Sequence, residues 1–257
     1  MSVYTTEIAS DKIASDNPIH QRLLKAYYLA KEYVQGDLLE IGCGEGRGIG
    51  LLHQQCKSYT AIDKIQSVVE SLTEKYPNVA FIQDNIPPLN KIESNSYDYV
   101  ISFQVIEHIR NDKLFLEEIH RVLRPGGKAL LTTPNIKKTL TRNPWHIREY
   151  TADQLTALAK SVFNKVDMMG VGGNDKVMAY YEMNKKSVQK ITRFDIFNLQ
   201  YRLPAAVLRV PYDLLNRMNR NKLKNSNDSL VNEIHHSDYL LTKNADEALD
   251  LFLILEK

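Results

Sequence analysis

Cysteine is nearly absent: Cys43 and Cys56 are the only two in 257 residues. One pair supports neither a disulfide framework nor a metal knuckle, so a reduced, cytoplasmic setting is expected. Long apolar runs are missing as well. No stretch approaches the roughly 18 residues of a membrane-spanning helix. Residues 1–18, MSVYTTEIASDKIASDNP, have no basic stretch followed by an apolar core, so no secretory leader is expected there. Charge of neither sign dominates, with 33 Lys and Arg against 31 Asp and Glu and a formal net of +2. That balance removes the broad basic footprint of a nucleic-acid binder.

The balance is uneven along the chain. Between Tyr180 and Lys224 ten Lys and Arg stand against three acids, Glu182, Asp195 and Asp213, a net of +7. The remainder must therefore carry about −5, and one segment differs in character from the rest. The first 170 residues alternate between short apolar runs and helical periodicity. DLLEI (37–41), YTAID (59–63), VAFIQD (79–84), YDYVISF (97–103), KALLTT (128–133) and KVDMMGV (165–171) read as strands. GIGLLHQQC (48–56) reads as the start of a helix. IQSVVESLTEKY (65–76), DKLFLEEIHRVL (112–123) and TADQLTALAKSVF (151–163) read as helices, the last with Thr151 as N-cap. Such alternation predicts an α/β fold with parallel strands and crossover helices on both faces. LDLFLILEK (249–257) reads as a closing strand. The gap before it is too long for a bare loop, so the basic segment is expected to be a helical insertion.

Glycine is concentrated at GDLLEIGCGEGRG (36–48), where Gly42, Gly44 and Gly46 follow a buried strand. A dinucleotide loop needs G-x-G-x-x-G, but its last position here is Arg47. A phosphate-binding P-loop fails too, because no Gly-Lys-Ser/Thr follows.

LLEIGCGEG resembles the first motif of the class I S-adenosylmethionine-dependent methyltransferases. AIDK, IQDN, YDYVISFQVIEHI and FLEEIHRVLRPGGKALLTTPN follow in that family's order and spacing. The resemblance covers about residues 20–170 and the last strand. It implies a Rossmann-like sheet, mostly parallel with an antiparallel last strand, and S-adenosyl-L-methionine as cofactor. The expected division is 1–36 as a helical segment over the cofactor site, 37–171 as the core, 172–243 as the helical basic insertion and 244–257 as the last core strand. In an open parallel sheet the ligand lies outside the carboxyl ends of the strands. Carried onto this chain, the cofactor site comprises Glu40, Gly42, Cys43, Gly44, Gly46, Asp63, Lys64, Asp84, Asn85, Ile86, Phe103 and Gln104. Asp63 is expected at the ribose hydroxyls, Asp84 at the adenine amino group, and Glu40 behind the loop near the cofactor's ammonium. Arg22 or Tyr27 of the N-terminal helix would meet its carboxylate.

Methyl transfer depends mainly on alignment, with a base where the acceptor must lose a proton. His108 and His146 are the candidate catalytic residues, and Trp145 could line the same pocket. Related enzymes that methylate quinones or RNA ends carry Glu-x-x-Glu-His and a divalent metal here. This chain has Gln104 in place of the first Glu, and no metal is expected. The expected activity is methylation of a small molecule at a hydroxyl oxygen, against RNA methylation or cofactor binding without turnover. Within 203–224, Ala205, Leu208, Tyr212, Leu215 and Met218 recur at helical spacing, with Arg202, Arg209, Arg217 and Arg220 beside them. Pro204 and Pro211 each suit a helix start. The partner expectations are a small-molecule acceptor, peripheral membrane contact through 203–224 and a homodimer, with nucleic acid not expected.

Overall fold

A computed structural model describes residues 12–257. In chain order its elements are α1 (Asn17–Ala30), β1 (Asp37–Ile41), α2 (Ile49–Leu52), β2 (Ser58–Asp63), α3 (Gln66–Lys75), β3 (Ala80–Gln83), β4 (Tyr97–Phe103), α4 (Asp112–Val122), β5 (Leu123–Pro134), α5 (Ala152–Lys160), β6 (Lys165–Gly173), α6 (Asp175–Thr192), α7 (Leu199–Arg202), α8 (Ala205–Ser226), α9 (Asp228–Glu233), β7 (Tyr239–Thr242) and β8 (Asp250–Glu256). The strands form one sheet in the order β3-β2-β1-β4-β5-β8-β6-β7. β1 to β5 run parallel, whereas β8 is antiparallel to both β5 and β6. The order reverses between β1 and β4, which puts the ligand crevice at their carboxyl ends.

Side chains alternate across the sheet, as the two-residue strand period requires. Leu39, Ile41, Val100 and Leu131 meet Phe115, Leu116, Ile119 and Val122 of α4 on one face. Leu38, Ala61, Ile101 and Leu130 meet Tyr27 and Ala30 of α1 and Val177 and Tyr180 of α6 on the other. Each fully buried Leu, Ile or Phe contributes about 1.5–3 kcal/mol. The apolar face of α4 therefore outweighs its surface pair Lys113–Glu117 at 3.6 Å, worth a few tenths of a kcal/mol. Asn111 accepts from the Leu114 amide at the start of α4. Thr151 and Gln154 form a capping box at α5, the cap expected there.

The stretch RVLRPGG closes the end of the sheet opposite the crevice. Arg124 bridges Asp37 at 2.9 Å and Asp98 at 2.7 Å, and Asp98 also accepts from the Asp37 amide. Three adjacent strands are thus tied together, and Asp98 is structural.

Two expectations change within the basic segment. β7 adds a strand to the sheet edge, antiparallel to β6; four residues are too few to show a period. Pro211 lies inside α8 rather than at a helix start. Pro204 already caps that helix, and Asn219, Arg220 and Leu223, buried along its second half, anchor it beyond the position where Pro211 removes one backbone donor.

Candidate active site

The loop after β1 is pinned to β2. Gly42 and Cys43 both donate to the Ile62 carbonyl, at 2.8 and 3.1 Å, and Gly46 donates to Cys43. Gly44 sits at φ +50, where an added Cβ would meet nothing within 4 Å. Its left-handed backbone excludes side chains at a cost of about 1 kcal/mol, and the space beside it is open. At Gly48 the reason is contact instead: an added Cβ would strike the Tyr27 ring of α1.

Asp63 ends β2 facing this loop. Its Oδ2 accepts from the Gly44 amide at 2.9 Å and its Oδ1 from Ile65 at 3.0 Å. It is therefore both a turn-former leading into α3 and a carboxylate aimed at the crevice, each oxygen keeping further acceptor capacity. The strand pairing continues one step further, with the Asp84 amide on the Asp63 carbonyl at 3.1 Å. The Asp84 side chain accepts from Asn85. Lys64 and Asn85 are exposed and Ile86 is half-buried. Cys43 is buried, and desolvation holds its thiol well above the ordinary range.

Glu40 lies beneath the loop, 2% exposed. Tyr27 donates to one of its oxygens at 2.7 Å and Tyr59 to the other at 2.6 Å. Burial pushes its carboxyl up to about 7, against the opposing effect of these two hydrogen bonds. Arg22 pairs with Asp250 at 3.2 Å. The two α1 residues expected near the cofactor's carboxylate thus both have protein partners. Phe103 packs edge-on against Tyr27, with centroids 4.9 Å apart.

Beyond β4 the chain opens a polar cavity of about 250 Å³, lined in part by Gln104, Glu107, His108, Asn143, His146 and Glu149. Gln104 holds a left-handed φ of 59, a strained conformation of the kind that concentrates at functional sites. The Glu107 carbonyl accepts from Ile147 and Arg148 at 2.8 and 3.2 Å, folding the 143–148 segment over the end of β4. Its carboxyl accepts from Thr133, and burial raises it to about 7.

His108 Nδ1 lies 3.0 Å from the Trp145 carbonyl. A carbonyl only accepts, so Nδ1 carries the proton and the acceptor role falls to Nε2. Burial, reinforced by His146, lowers His108 to about 4, so the ring is neutral at ordinary pH. His146 stands edge-on to it, with centroids 5.0 Å apart. Asn143 accepts from the Trp145 amide through its Oδ1, which turns its Nδ2 toward His146 Nε2 at 2.8 Å. His146 Nδ1 accordingly donates to Glu149 at 2.6 Å.

The two predicted histidines therefore meet, and Gln104 joins them in the cavity. The glycine loop and Asp63 lie beside this cavity rather than in its lining. Trp145 faces α8 instead: its indole donates to Asp213 at 3.2 Å, and Arg209 stacks on its ring at 4.3 Å. Glu149 and Asn143 were not anticipated, although Glu149 stands three residues after His146 within a dense patch. Glu107, His108 and His146 offer atoms that all lie within 4.8 Å of one another, close enough to share a metal ion, although both His146 ring nitrogens are engaged with Asn143 and Glu149.

Residues 39–131 match the methyltransferase domain family. A probable S-adenosylmethionine-dependent methyltransferase of Mycolicibacterium smegmatis is 36% identical over 149 residues, covering 56% of this chain and 58% of that protein. One from Mycobacterium tuberculosis is 37% identical over 135 residues, covering 51% and 49%. A ubiquinone biosynthesis O-methyltransferase of Rickettsia conorii is 29% identical over 136 residues, covering 51% and 45%. The chain spans about half the length of these relatives. Among solved structures, an S-adenosylmethionine-dependent methyltransferase of Thermotoga maritima superposes with a TM-score of 0.58 at 13% identity, covering 93% of this chain and 91% of that one. A [4+2]-cyclase, SpnF, does so with a TM-score of 0.52 at 17% identity, covering 92% and 81%. The shared fold therefore hosts more than one chemistry.

Proposed function

From the match of residues 39–131 to the methyltransferase domain family, we propose that the chain is a class I S-adenosylmethionine-dependent methyltransferase that methylates a small-molecule acceptor at a hydroxyl oxygen. The observation that carries the reading is the polar cavity at the carboxyl end of β4, next to the glycine loop, where His108 and His146 converge. The residues present fit the cofactor. The crevice beside Gly44 is open, and its side-chain acceptors, Asp63 and Asp84, suit ribose hydroxyls and an adenine amino group. S-adenosylmethionine, when bound, supplies an electrophilic methyl group on a sulfonium centre.

The chain's own residues then have separable tasks. The backbone of residues 42–46 approaches the amino-acid part of the cofactor, and Glu40 with its two tyrosines holds that loop from behind. His108 accepts a hydrogen bond from the acceptor hydroxyl and so orients its oxygen. A base held near 4 leaves that hydroxyl protonated in the resting state. It is adequate for a proton that becomes strongly acidic as the oxygen gains a carbon substituent. His146, fixed between Asn143 and Glu149, sets the position of the His108 ring. The O-methyltransferase name of the Rickettsia relative supports an oxygen acceptor.

Calorimetry with S-adenosylhomocysteine tests the cofactor side. Asp63→Ala should bind it at least about tenfold more weakly, the worth of a lost charge-assisted hydrogen bond; an unchanged affinity overturns the assignment. His108→Ala, assayed with labelled S-adenosylmethionine on a panel of phenols and alcohols, should lose about 100-fold in kcat while still binding S-adenosylhomocysteine. Equal losses in both remove His108 from the chemistry.

The proposal extends to peripheral contact with an anionic bilayer through the outer surface of the α6–α7 connection, α7 and α8. Phe194, Ile196, Phe197, Tyr201, Val210 and Leu214 are all more than half exposed there. They lie within the segment of net charge +7, and apolar side chains among basic ones suit a lipid interface.

A further inference from the structure

The polar cavity borders a second cavity of about 400 Å³ between α6, α7 and α8, and Thr141, Val188, Tyr212 and Asn216 line both. The walls of the second cavity are mainly apolar, with Ile191, Leu203, Leu208 and Leu215 among them. Phe194, Leu199 and Leu215 line it and are also exposed, at 71%, 44% and 45%, so its mouth opens on the apolar outer surface of the helical segment. Both volumes together fall within the range of about 300–1,000 Å³ typical of ligand pockets. Wet apolar walls are unfavourable, and covering them with a hydrocarbon chain is favourable.

We infer that the acceptor is amphipathic, with its hydroxyl-bearing head in the polar cavity against His108 and an alkyl or prenyl tail running past Tyr212 into the apolar one. The adjacency of the two cavities, which share four lining residues, carries this. A small, wholly polar acceptor would need only the first, whereas a tailed one accounts for both and for the junction between them. The position of the head rests on the methyl-transfer reading. The position of the tail rests on the apolar cavity alone.

The test is the binding of a 4-alkylphenol series, ethyl to octyl, to the full chain by calorimetry. Affinity should rise with each methylene by up to about fourfold, the equivalent of about 0.8 kcal/mol per buried CH2. Val188→Trp fills the junction and should flatten the series while S-adenosylhomocysteine binds as in the unmodified protein. Should that variant fail to fold, Leu208→Gln, which makes the apolar wall polar at a half-buried site, should flatten it too. A series that is flat in the unmodified protein, or equally steep in the folded variants, overturns the tail site. Failure of the unmodified protein to bind S-adenosylhomocysteine would instead defeat the methyl-transfer reading, whatever the alkylphenols do. Offering octylphenol first free and then embedded in phosphatidylglycerol-containing vesicles separates the two sources of such a molecule. Tighter uptake from vesicles assigns a bilayer-resident acceptor, uptake from solution alone assigns a diffusible one, and uptake from neither overturns the inference.

Discussion

Glu40 shows how one side chain can tie the cofactor loop to the stability of the fold. Its carboxyl sits at about 7 in the folded protein against an ordinary 4.5. Between those values the folded chain keeps a proton that the unfolded chain has released. The stabilising contribution is therefore complete below about pH 4.5 and is lost as pH rises through about 7. Glu40→Gln keeps partners for both tyrosines and abolishes the titration. Urea unfolding followed from about pH 5 to pH 8 should show the unmodified protein losing on the order of 3 kcal/mol more than this variant. Glu107 is raised in the same direction, but it is present in both proteins and cancels in the difference. Parallel curves would show that Glu40 ionises as an ordinary carboxylate. At this scale the resemblance of the AIDK and IQDN motifs to the methyltransferase family is what singles out Asp63 and Asp84, and the structure places both at strand ends. Asn143 and Glu149 were not legible, because nothing local in TRNPWHIREYT distinguishes a side chain that fixes a histidine from an ordinary turn residue.

Helix α8 carries most of what the segment's composition could not resolve. Four arginines punctuate its region, yet they have different surroundings. Arg217 and Arg220 reach Asp16, a fully buried acid just before α1, at 2.7 and 3.0 Å. Arg209 covers the Trp145 ring, whereas Arg202 is exposed beside Tyr201. Helical spacing showed that one face is apolar, but it could not show that the face borders a cavity, since core packing and cavity lining use the same residues. The charges left on the outer surface, such as Lys190, Arg193 and Arg202, are those available to a bilayer. Each basic side chain near an anionic membrane contributes about 1 kcal/mol. Reversing Arg193 and Arg202 to Glu should therefore weaken sedimentation with phosphatidylglycerol vesicles by at least about tenfold, and added salt should weaken the unmodified protein in the same direction. Binding that ignores both salt and charge reversal would remove the electrostatic part of the contact.

Across the whole molecule, the parallel run of β1 to β5 follows from the alternation of strands and helices, and the crevice lies where the observed strand order reverses. The edge strand β7 escaped notice because its partner β6 lies more than sixty residues earlier and pairs with it through only four positions, Gly170 to Gly173. Such long-range closure also links the crevice to elements remote in sequence. Tyr27 joins α1 to Glu40 under the glycine loop. Asp16, immediately before α1, is clamped by α8, and Asn17 donates to the carbonyls of Val231 and Ile234 around α9. A ligand that steadies the loop should therefore steady the N-terminal helix and, through it, the helical segment. At about a hundred times its dissociation constant, S-adenosylhomocysteine stabilises the folded state by about 2.7 kcal/mol, or about 5–10 °C in Tm for a chain of this size. Hydrogen exchange measured with and without it should show added protection at residues 42–46 and 63, at 17–30, and in the last turns of α8 that carry Arg217 and Arg220. Protection confined to the glycine loop and Asp63, with the same shift in Tm, would mean that the Tyr27–Glu40 and Asp16–arginine contacts do not transmit binding, and that the helical segment opens independently of the cofactor crevice.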